Sequence, residues 1–168
     1  MRNIHFHVII VVDVMFVNSL TFLVIVSKSL KYTTSMYLNS WNKHQLLSGL
    51  TISIQICAKY GFVFNFIKGK KTFETLRDGF PRVYFNITVA YEHVPKAERQ
   101  IGVVKESTWS VRHTLPFRKI PEKVIIMMLN FSVFCIKNFP FSYCVGSNLS
   151  LRTIITGRTI DFAAHCKQ

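Results

Sequence analysis

The stretch Phe6–Ser27, FHVIIVVDVMFVNSLTFLVIVS, decides the fold of this chain. It is rich in Val, Ile and Phe, and it is interrupted by two polar residues at Asn18-Ser19. Long apolar runs that break at a short polar pair are typical of buried strands connected by a tight turn. The stretch therefore predicts a first strand of about Phe6–Val17 and a second of about Leu20–Ser27.

The same apolar run, counted from Ile4 to Val26, is also long enough for a spanning helix or a signal peptide. Asp13 lies in its middle, and a carboxylate at the centre of a spanning helix costs a few kcal/mol. A cleavage site of small residues is also missing. These features favour the two strands, and a small basic membrane-associated protein remains the alternative, which predicts that the chain partitions with lipid.

Composition indicates one basic domain. The 168 residues suffice for a single domain with a hydrophobic core. There are 21 Lys and Arg against 8 Asp and Glu, a net charge of +13, which favours partners that carry phosphates. The cysteines form no C-x-x-C pair, so we expect reduced, packed thiols and an intracellular protein, in nucleus or cytoplasm. They are Cys57, Cys135, Cys144 and Cys166.

The order of the remaining elements predicts an α/β fold. They are a strand Leu30–Leu38, a helix Trp41–Tyr60 that ends before Gly61, a strand Phe62–Ile67 cut off by Gly69-Lys70-Lys71, a helical turn Thr72–Arg77, a strand Val83–Ala90, a helix around Glu98 and a helix Glu122–Asn138 that is apolar all round. Hairpins followed by helical crossovers imply a three-stranded antiparallel start to a mixed five-stranded sheet with flanking helices. We predict a core at 1–140 and an irregular C-terminal extension at 141–168.

The helix around Glu98 carries a regular pattern of charge. Pro95 suits the first helical position, because that N–H has no helical partner. Glu98, Lys105 and Arg112 recur every seven residues and so share one face. One acid among bases suits a residue that meets a phosphodiester or a metal ion, although an ordinary solvated face has the same pattern.

This element order resembles the ribonuclease-H-like fold of integrases and transposases. Five segments, in order along the chain, are similar to the integrase region of copia-type (LTR) retrotransposon polyproteins. They are Val12–Asn18, Thr72–Arg77, Glu92–Lys105, Asn138–Pro140 and Leu149–Asp161, with His165-Cys166 behind the last. The resemblance implies DNA integration, a polynucleotidyl transfer that uses Mg²⁺ or Mn²⁺ held by three carboxylates.

Carried over by position, Asp13 resembles the first catalytic, metal-binding acid and Glu98 the third. The slot of the second acid falls on Lys70, and a lysine there brings positive charge to a site that must gather cations. Glu74 and Asp78 are the carboxylates that could replace it, but both lie beyond the end of the strand. The resemblance therefore implies a degenerate fragment, and an ammonium of Lys70 in the ion's place would make the site a charge-neutralised relic.

Three hypotheses follow. The first is a pseudoenzyme that keeps the integrase fold, binds DNA (retroelement ends or target DNA) and does not cut it. This hypothesis is compatible with oligomers, and it does not expect stable membrane association. The second is an active integrase or nuclease that uses Asp13 and Glu98 with Glu74 or Asp78. The third is the membrane-associated protein. The first hypothesis assigns phosphate contacts to six bases, for each of which a solubilising surface role is the alternative: Lys68, Lys70, Lys71, Arg99, Lys105 and Arg112.

Overall fold

The computed structural model describes residues 6–28, 32–88, 95–117, 119–139 and 150–159. Its strands are β1 (Phe6–Val17), β2 (Leu20–Ser27), β3 (Thr33–Leu38), β4 (Phe62–Lys70) and β5 (Tyr84–Thr88). Its α-helices are α1 (Lys43–Ala58), α2 (Pro95–His113), α3 (Glu122–Asn138) and α4 (Leu151–Thr156), and a 3-10 helix covers Lys71–Gly79. The predicted order of strands and helices is thereby confirmed.

The β1–β2 hairpin has the predicted bounds. The two strands pair antiparallel up to Val17 and Leu20. Between them, Asn18 and Ser19 have φ angles of 51° and 66°. Two successive left-handed residues are typical of a type I′ turn, whose twist matches that of a two-residue hairpin. The apolar run from residue 6 onward is thus a strand pair, and no helix in the described part of the chain is long and apolar enough to cross a membrane.

The sheet is mixed and has the strand order β3-β2-β1-β4-β5. The β1–β2 and β2–β3 pairs are antiparallel, while β1–β4 and β4–β5 are parallel. Helix α1 supplies the crossover that parallel pairing of β1 and β4 requires. Asn42 caps its N-terminus, with a side-chain oxygen that accepts the N–H of Gln45 at 2.8 Å. This arrangement confirms the predicted three-stranded antiparallel start of a mixed five-stranded sheet with flanking helices.

A β-bulge shifts the register between β1 and β4. Val8 pairs with Phe64, but Ile9 pairs with Phe66, so Asn65 is the extra residue of the bulge on β4. Because side chains alternate along a strand, one extra residue exchanges the two faces of β4 from that point on. The buried Ile67 therefore keeps facing the same side as Phe64, whereas Lys68 and Lys70 face the opposite side of the sheet.

The prediction that the fourth strand ends at Ile67 was wrong. Lys68 pairs with Val11 of β1 and Asn86 of β5, and Gly69 and Lys70 continue the ladder. A glycine and two lysines are weak strand formers, but here both neighbouring strands hydrogen-bond to their backbone. Pairing with neighbours overrides the local preference, and Lys70 becomes part of the sheet.

Two hydrophobic clusters lie on opposite faces of the sheet. One contains side chains of β1, β2, β4, α1 and the 3-10 helix, such as Val12, Ile67 and Phe73. The other contains Met15 of β1 with Val104 of α2 and the buried side of α3. Helix α3 was predicted to be apolar on all sides. In the structure, one of its sides is buried and the other is exposed. The exposed large apolar side chains of α3 are Met127, Phe131 and Phe134.

The chain beyond α3 is not irregular throughout, contrary to prediction. Residues Leu151–Thr156 form α4, whose N-terminus is capped by the Ser150 hydroxyl accepting the N–H of Thr153 at 3.1 Å. Leu151 and Ile155 are buried, and Ile155 belongs to the same cluster as Phe73. A single turn and a half of helix has too weak a periodicity to be detected in sequence. The boundary at residue 140 stays a prediction, and residues 141–149 and 160–168 lie outside the described part.

Candidate functional site

Asp13 and Lys70 form an ion pair between the central strands. Lys70 lies one residue beyond the Val12–Gly69 pair of the parallel β1–β4 ladder, and Asp13 occupies the matching position on β1. The Lys70 Nζ lies 2.9 Å from the Asp13 Oδ1, and the same oxygen accepts the backbone N–H of Val14 at 2.8 Å. The Asp13 side chain is only 14% exposed, whereas that of Lys70 is 60% exposed. The carboxylate thus already has a cation in hydrogen-bonding contact.

The position of Lys70 depends on the glycine that precedes it. A Cβ built on Gly69 would meet the ring of Phe73 at 3.0 Å, closer than nearly all real Cβ contacts. Phe73 is 1% exposed and anchors the start of the 3-10 helix in the core beneath β4. Gly69 therefore lets the helix fold back directly against the end of the strand, which holds the backbone of Lys70 beside Asp13.

Glu98 lies in the first turn of α2 and is exposed. Helix α2 packs against β1 and β2, with its Val104 in the cluster of Met15. Asp13 is two residues before Met15 on the same strand, so it faces the same side of the sheet as α2. The structure thus puts Asp13 and the helix that carries Glu98 on the same side of the sheet. A shared metal at Asp13 and Glu98 stays a prediction.

Glu74 and Asp78, the acids that could replace the missing one, are both exposed. The Asp78 carboxylate lies 3.5 Å from the Lys43 Nζ at the start of α1, and its side chain is 87% exposed. Glu74 is exposed in the first turn of the 3-10 helix. In residues 6–28, 32–88, 95–117, 119–139 and 150–159, no three His, Cys, Asp or Glu side chains come together as metal ligands. A two-metal centre needs several shared oxygen donors, so the described residues do not fit one.

The six predicted phosphate contacts lie in three places. Lys68 and Lys70 are on β4, facing the α2 side, and Lys71 is exposed directly after them. On α2, Arg99 lies near the start and is exposed, and Lys105 lies near the middle and is half-buried. Arg112 follows Glu98 by fourteen residues, a separation of about 21 Å along a helix. Its guanidinium carbon lies 4.5 Å from the centre of the Trp109 ring.

Solved structures resemble this fold, although no protein-family model and no curated protein sequence matches the chain. The catalytic core domain of BIV integrase superimposes with a TM-score of 0.64. The match covers 95% of this chain and 97% of that domain, at 11% sequence identity. The chain has the fold of an integrase catalytic core. At this identity the likeness concerns the ribonuclease-H-like fold alone, which was the fold predicted from the sequence.

A cluster of titratable side chains on the α1 side of the sheet was not predicted from the sequence. The Lys137 Nζ of α3 lies 5.0 Å from the centre of the Tyr32 ring. Burial lowers the pKa of Lys137 to about 8 and raises the pKa of Cys57 to about 11. Burial likewise raises the pKa of Tyr32 to about 12. No spacing in the sequence joins these residues, because they come from three separate segments.

The predicted packing of cysteines as small hydrophobes is confirmed at Cys57, while Cys144 and Cys166 lie outside the described residues.

Proposed function

We propose that this chain is a degenerate integrase core of a copia-type retrotransposon that binds DNA and does not cut it. The observation that carries the proposal is the contact of 2.9 Å between the Lys70 Nζ and the Asp13 Oδ1. An ammonium at hydrogen-bonding distance neutralises the acid that resembles the first metal ligand. The proposal makes the chain a pseudoenzyme whose ancestral activity was DNA integration.

The chemistry of the ion pair opposes metal-dependent catalysis. Two divalent cations would have to displace the Lys70 ammonium from Asp13, or bind beside it against like-charge repulsion. They would also lack the second carboxylate, because the position that resembles its slot is itself the lysine. Polynucleotidyl transfer by two metals depends on that shared ligand set to activate water and stabilise the leaving oxygen. The active-integrase alternative is therefore not favoured.

The charge of the chain supports a retained role in binding DNA. The net charge of +13 attracts a polyanion, and each phosphate that a Lys or Arg neutralises releases condensed counterions. Lys68 and Lys70 face the same side of the sheet, and Lys71 follows them at the surface. These three bases together with Arg99 and Lys105 are our candidate contacts to the backbone of retroelement ends or target DNA.

Plasmid nicking tests the catalytic half of the proposal. We expect no strand cleavage by the parent protein in either Mg²⁺ or Mn²⁺. We expect the Lys70→Asp variant to bind Mn²⁺ by calorimetry at least tenfold more tightly than the parent, because it exchanges the competing cation for a ligand. Adding Asp13→Asn to Lys70→Asp should abolish that gain. Metal-dependent nicking by the parent that disappears in Asp13→Asn and in Glu98→Gln would overturn the proposal.

Fluorescence anisotropy with a labelled duplex tests the binding half. We expect binding that weakens linearly with the logarithm of salt concentration, with a slope that falls by about 1 for each contacting lysine removed. Lys68→Gln and Lys71→Gln should each weaken binding, while Arg82→Gln, an exposed base at the turn before β5, is the matched control. Lys70 is left intact here because it also holds Asp13. Equal loss in all three variants, or no binding at low salt, would contradict DNA binding at this surface.

A further inference from the structure

A second candidate site lies at the C-terminal end of α2. A cavity of about 360 Å³ opens between the β1–β2 turn, the C-terminal half of α2 and the start of α3. It is lined by apolar side chains, by two bases, by one indole, by one amide and by the hydroxyl-bearing Thr108. The apolar ones are Val17, Ile120, Ile125 and Met128, and the others used below are Asn18, Trp109, Arg112 and Lys119. A volume of this size accommodates a small organic molecule.

The two bases of the cavity form no ion pair with any described acid. The Arg112 guanidinium carbon lies 4.5 Å from the centre of the Trp109 ring. Among the described residues, Lys119 makes no ion pair. Arg112 is half-buried, so its charge is partly removed from water, and no carboxylate of the described residues compensates it. A half-buried guanidinium and an ammonium lining one cavity attract an anion, and the guanidinium fork suits a phosphate.

The aromatic and polar parts of the cavity suit a flat heterocycle. Trp109 is 40% exposed, so its indole has surface left to stack on. Asn18 is exposed and held with a φ of 51° at the hairpin turn, and its amide has no hydrogen-bond partner in the described part of the chain. Bases stack on tryptophan and on arginine planes, and amides pair with base edges.

We propose that this cavity binds a single unpaired nucleotide, with the base against Trp109 and the phosphate between Arg112 and Lys119. The proposal deepens the proposed function, since it rests on nucleic acid as the partner and names the part of it that enters the cavity. The cavity is distinct from the Asp13–Lys70 pair. Arg112 is about 21 Å along α2 from Glu98, and Asn18 lies five residues after Asp13, in the turn that follows β1.

Tryptophan fluorescence tests the proposal directly. The chain has two tryptophans, so Trp41→Phe leaves Trp109 as the sole reporter. We expect deoxyadenosine 5′-monophosphate to quench it with at least tenfold higher affinity than deoxyadenosine, and inorganic phosphate to compete. A short single-stranded oligonucleotide that binds tighter than the mononucleotide identifies a strand as the source, and equal affinity identifies the free nucleotide. Absence of quenching by every nucleotide ligand would overturn the proposal.

Substitutions locate the binding. In the Trp41→Phe background, Arg112→Gln and Lys119→Gln should each weaken the mononucleotide about tenfold, and Arg82→Gln should leave it unchanged. Thermal unfolding of each variant separates lost binding from lost folding, and Lys119, which is exposed, carries the test if Arg112→Gln does not fold. Unchanged affinity in the Lys119→Gln variant would contradict the assignment.

The two proposals fail separately. Duplex binding that depends on Lys68 and Lys71, without any quenching of Trp109, would overturn the nucleotide cavity and leave the proposed function standing. Quenching by the mononucleotide without binding of any duplex or single strand would support the cavity and overturn DNA binding.

Discussion

Lys70 and Asp13 close the ends of two parallel strands with an ion pair of 2.9 Å between Nζ and Oδ1. The pair is asymmetric, because the carboxylate is largely buried and the ammonium stem is largely exposed. A buried charge that loses its partner is destabilising, whereas an exposed charge that loses its partner is almost neutral. The stability of the sheet should therefore depend on Lys70 through Asp13.

Removal of the Lys70 ammonium should expose this dependence. The Lys70→Met variant keeps the aliphatic stem and leaves the Asp13 carboxylate without a cation. We expect a loss of about 1–3 kcal/mol in the free energy of unfolding at pH 7, measured with urea. Adding Asp13→Asn should restore most of it, because the charge is then gone.

Lys71→Met is the matched control for that experiment. Lys71 is the next residue, is exposed and makes no ion pair among the described residues. We expect its effect to stay within about 0.5 kcal/mol. Equal losses in the two lysine variants would show that the ion pair contributes nothing specific.

Gly69 and Gly102 should respond oppositely to alanine. The added Cβ at residue 69 would press on the buried Phe73 ring at 3.0 Å, so Gly69→Ala should destabilise by about 1–2 kcal/mol. A Cβ at residue 102 meets nothing within 4 Å in the middle of α2, so Gly102→Ala should stabilise by up to about 1 kcal/mol. Urea unfolding of both variants checks this. A stabilising Gly69→Ala would show that Phe73 moves freely.

The β1–β2 turn should accept a glycine. Ser19 has a φ of 66°, which a residue with a Cβ adopts at some cost in energy. Ser19→Gly makes the turn Asn-Gly, the preferred sequence of a type I′ hairpin, and should stabilise by about 0.5–1 kcal/mol in thermal unfolding. Ser19→Val should destabilise, because a branched Cβ is disfavoured at this angle. Unchanged thermal stability in both Ser19 variants would contradict backbone strain at this residue.

Stability should rise with pH just above pH 8. Burial lowers the pKa of Lys137 from 10.5 to about 8, so in this window the unfolded chain binds the proton that the folded chain has released. The free energy of unfolding therefore increases from about pH 8 towards 10.5. Cys57 acts oppositely from pH 9 to about 11, since burial raises the pKa of its thiol and only the unfolded chain ionises there.

Lys137→Met tests the origin of that rise. The substitution removes a buried ammonium and keeps a flexible apolar chain, so we expect higher stability than the parent at pH 7 and no rise between pH 8 and 9. Lys123→Met, at an exposed position of the same helix, is the control and should retain the rise. The measurement is urea unfolding at a series of pH values, and a rise that survives in Lys137→Met would contradict the assignment.

Much of the fold was predictable because its signals are local. The hairpin, α1 and the helix of Glu98 each have a continuous pattern of apolar or charged residues. The start of α2 follows from a single residue, Pro95. The errors occur where pairing or packing overrides local preference. Lys70 was expected outside the strand, and β4 includes it because β1 and β5 both bond its neighbours. Helix α4 was missed because burial of Leu151 and Ile155, not propensity, stabilises it.

By itself, the sequence determined the order of the strands and of the longer helices, the excess of basic charge, and the lysine at the position that resembles the second acid. The tertiary structure alone decided what that lysine does. The bulge at Asn65 exchanges the faces of β4, so Lys70 lies on the side of Asp13 and not in the opposite core. The physical reason is that side-chain direction alternates along a strand, so one extra residue in one strand sets the direction of all that follow. Such a residue is visible only in the register of two strands that lie far apart in sequence.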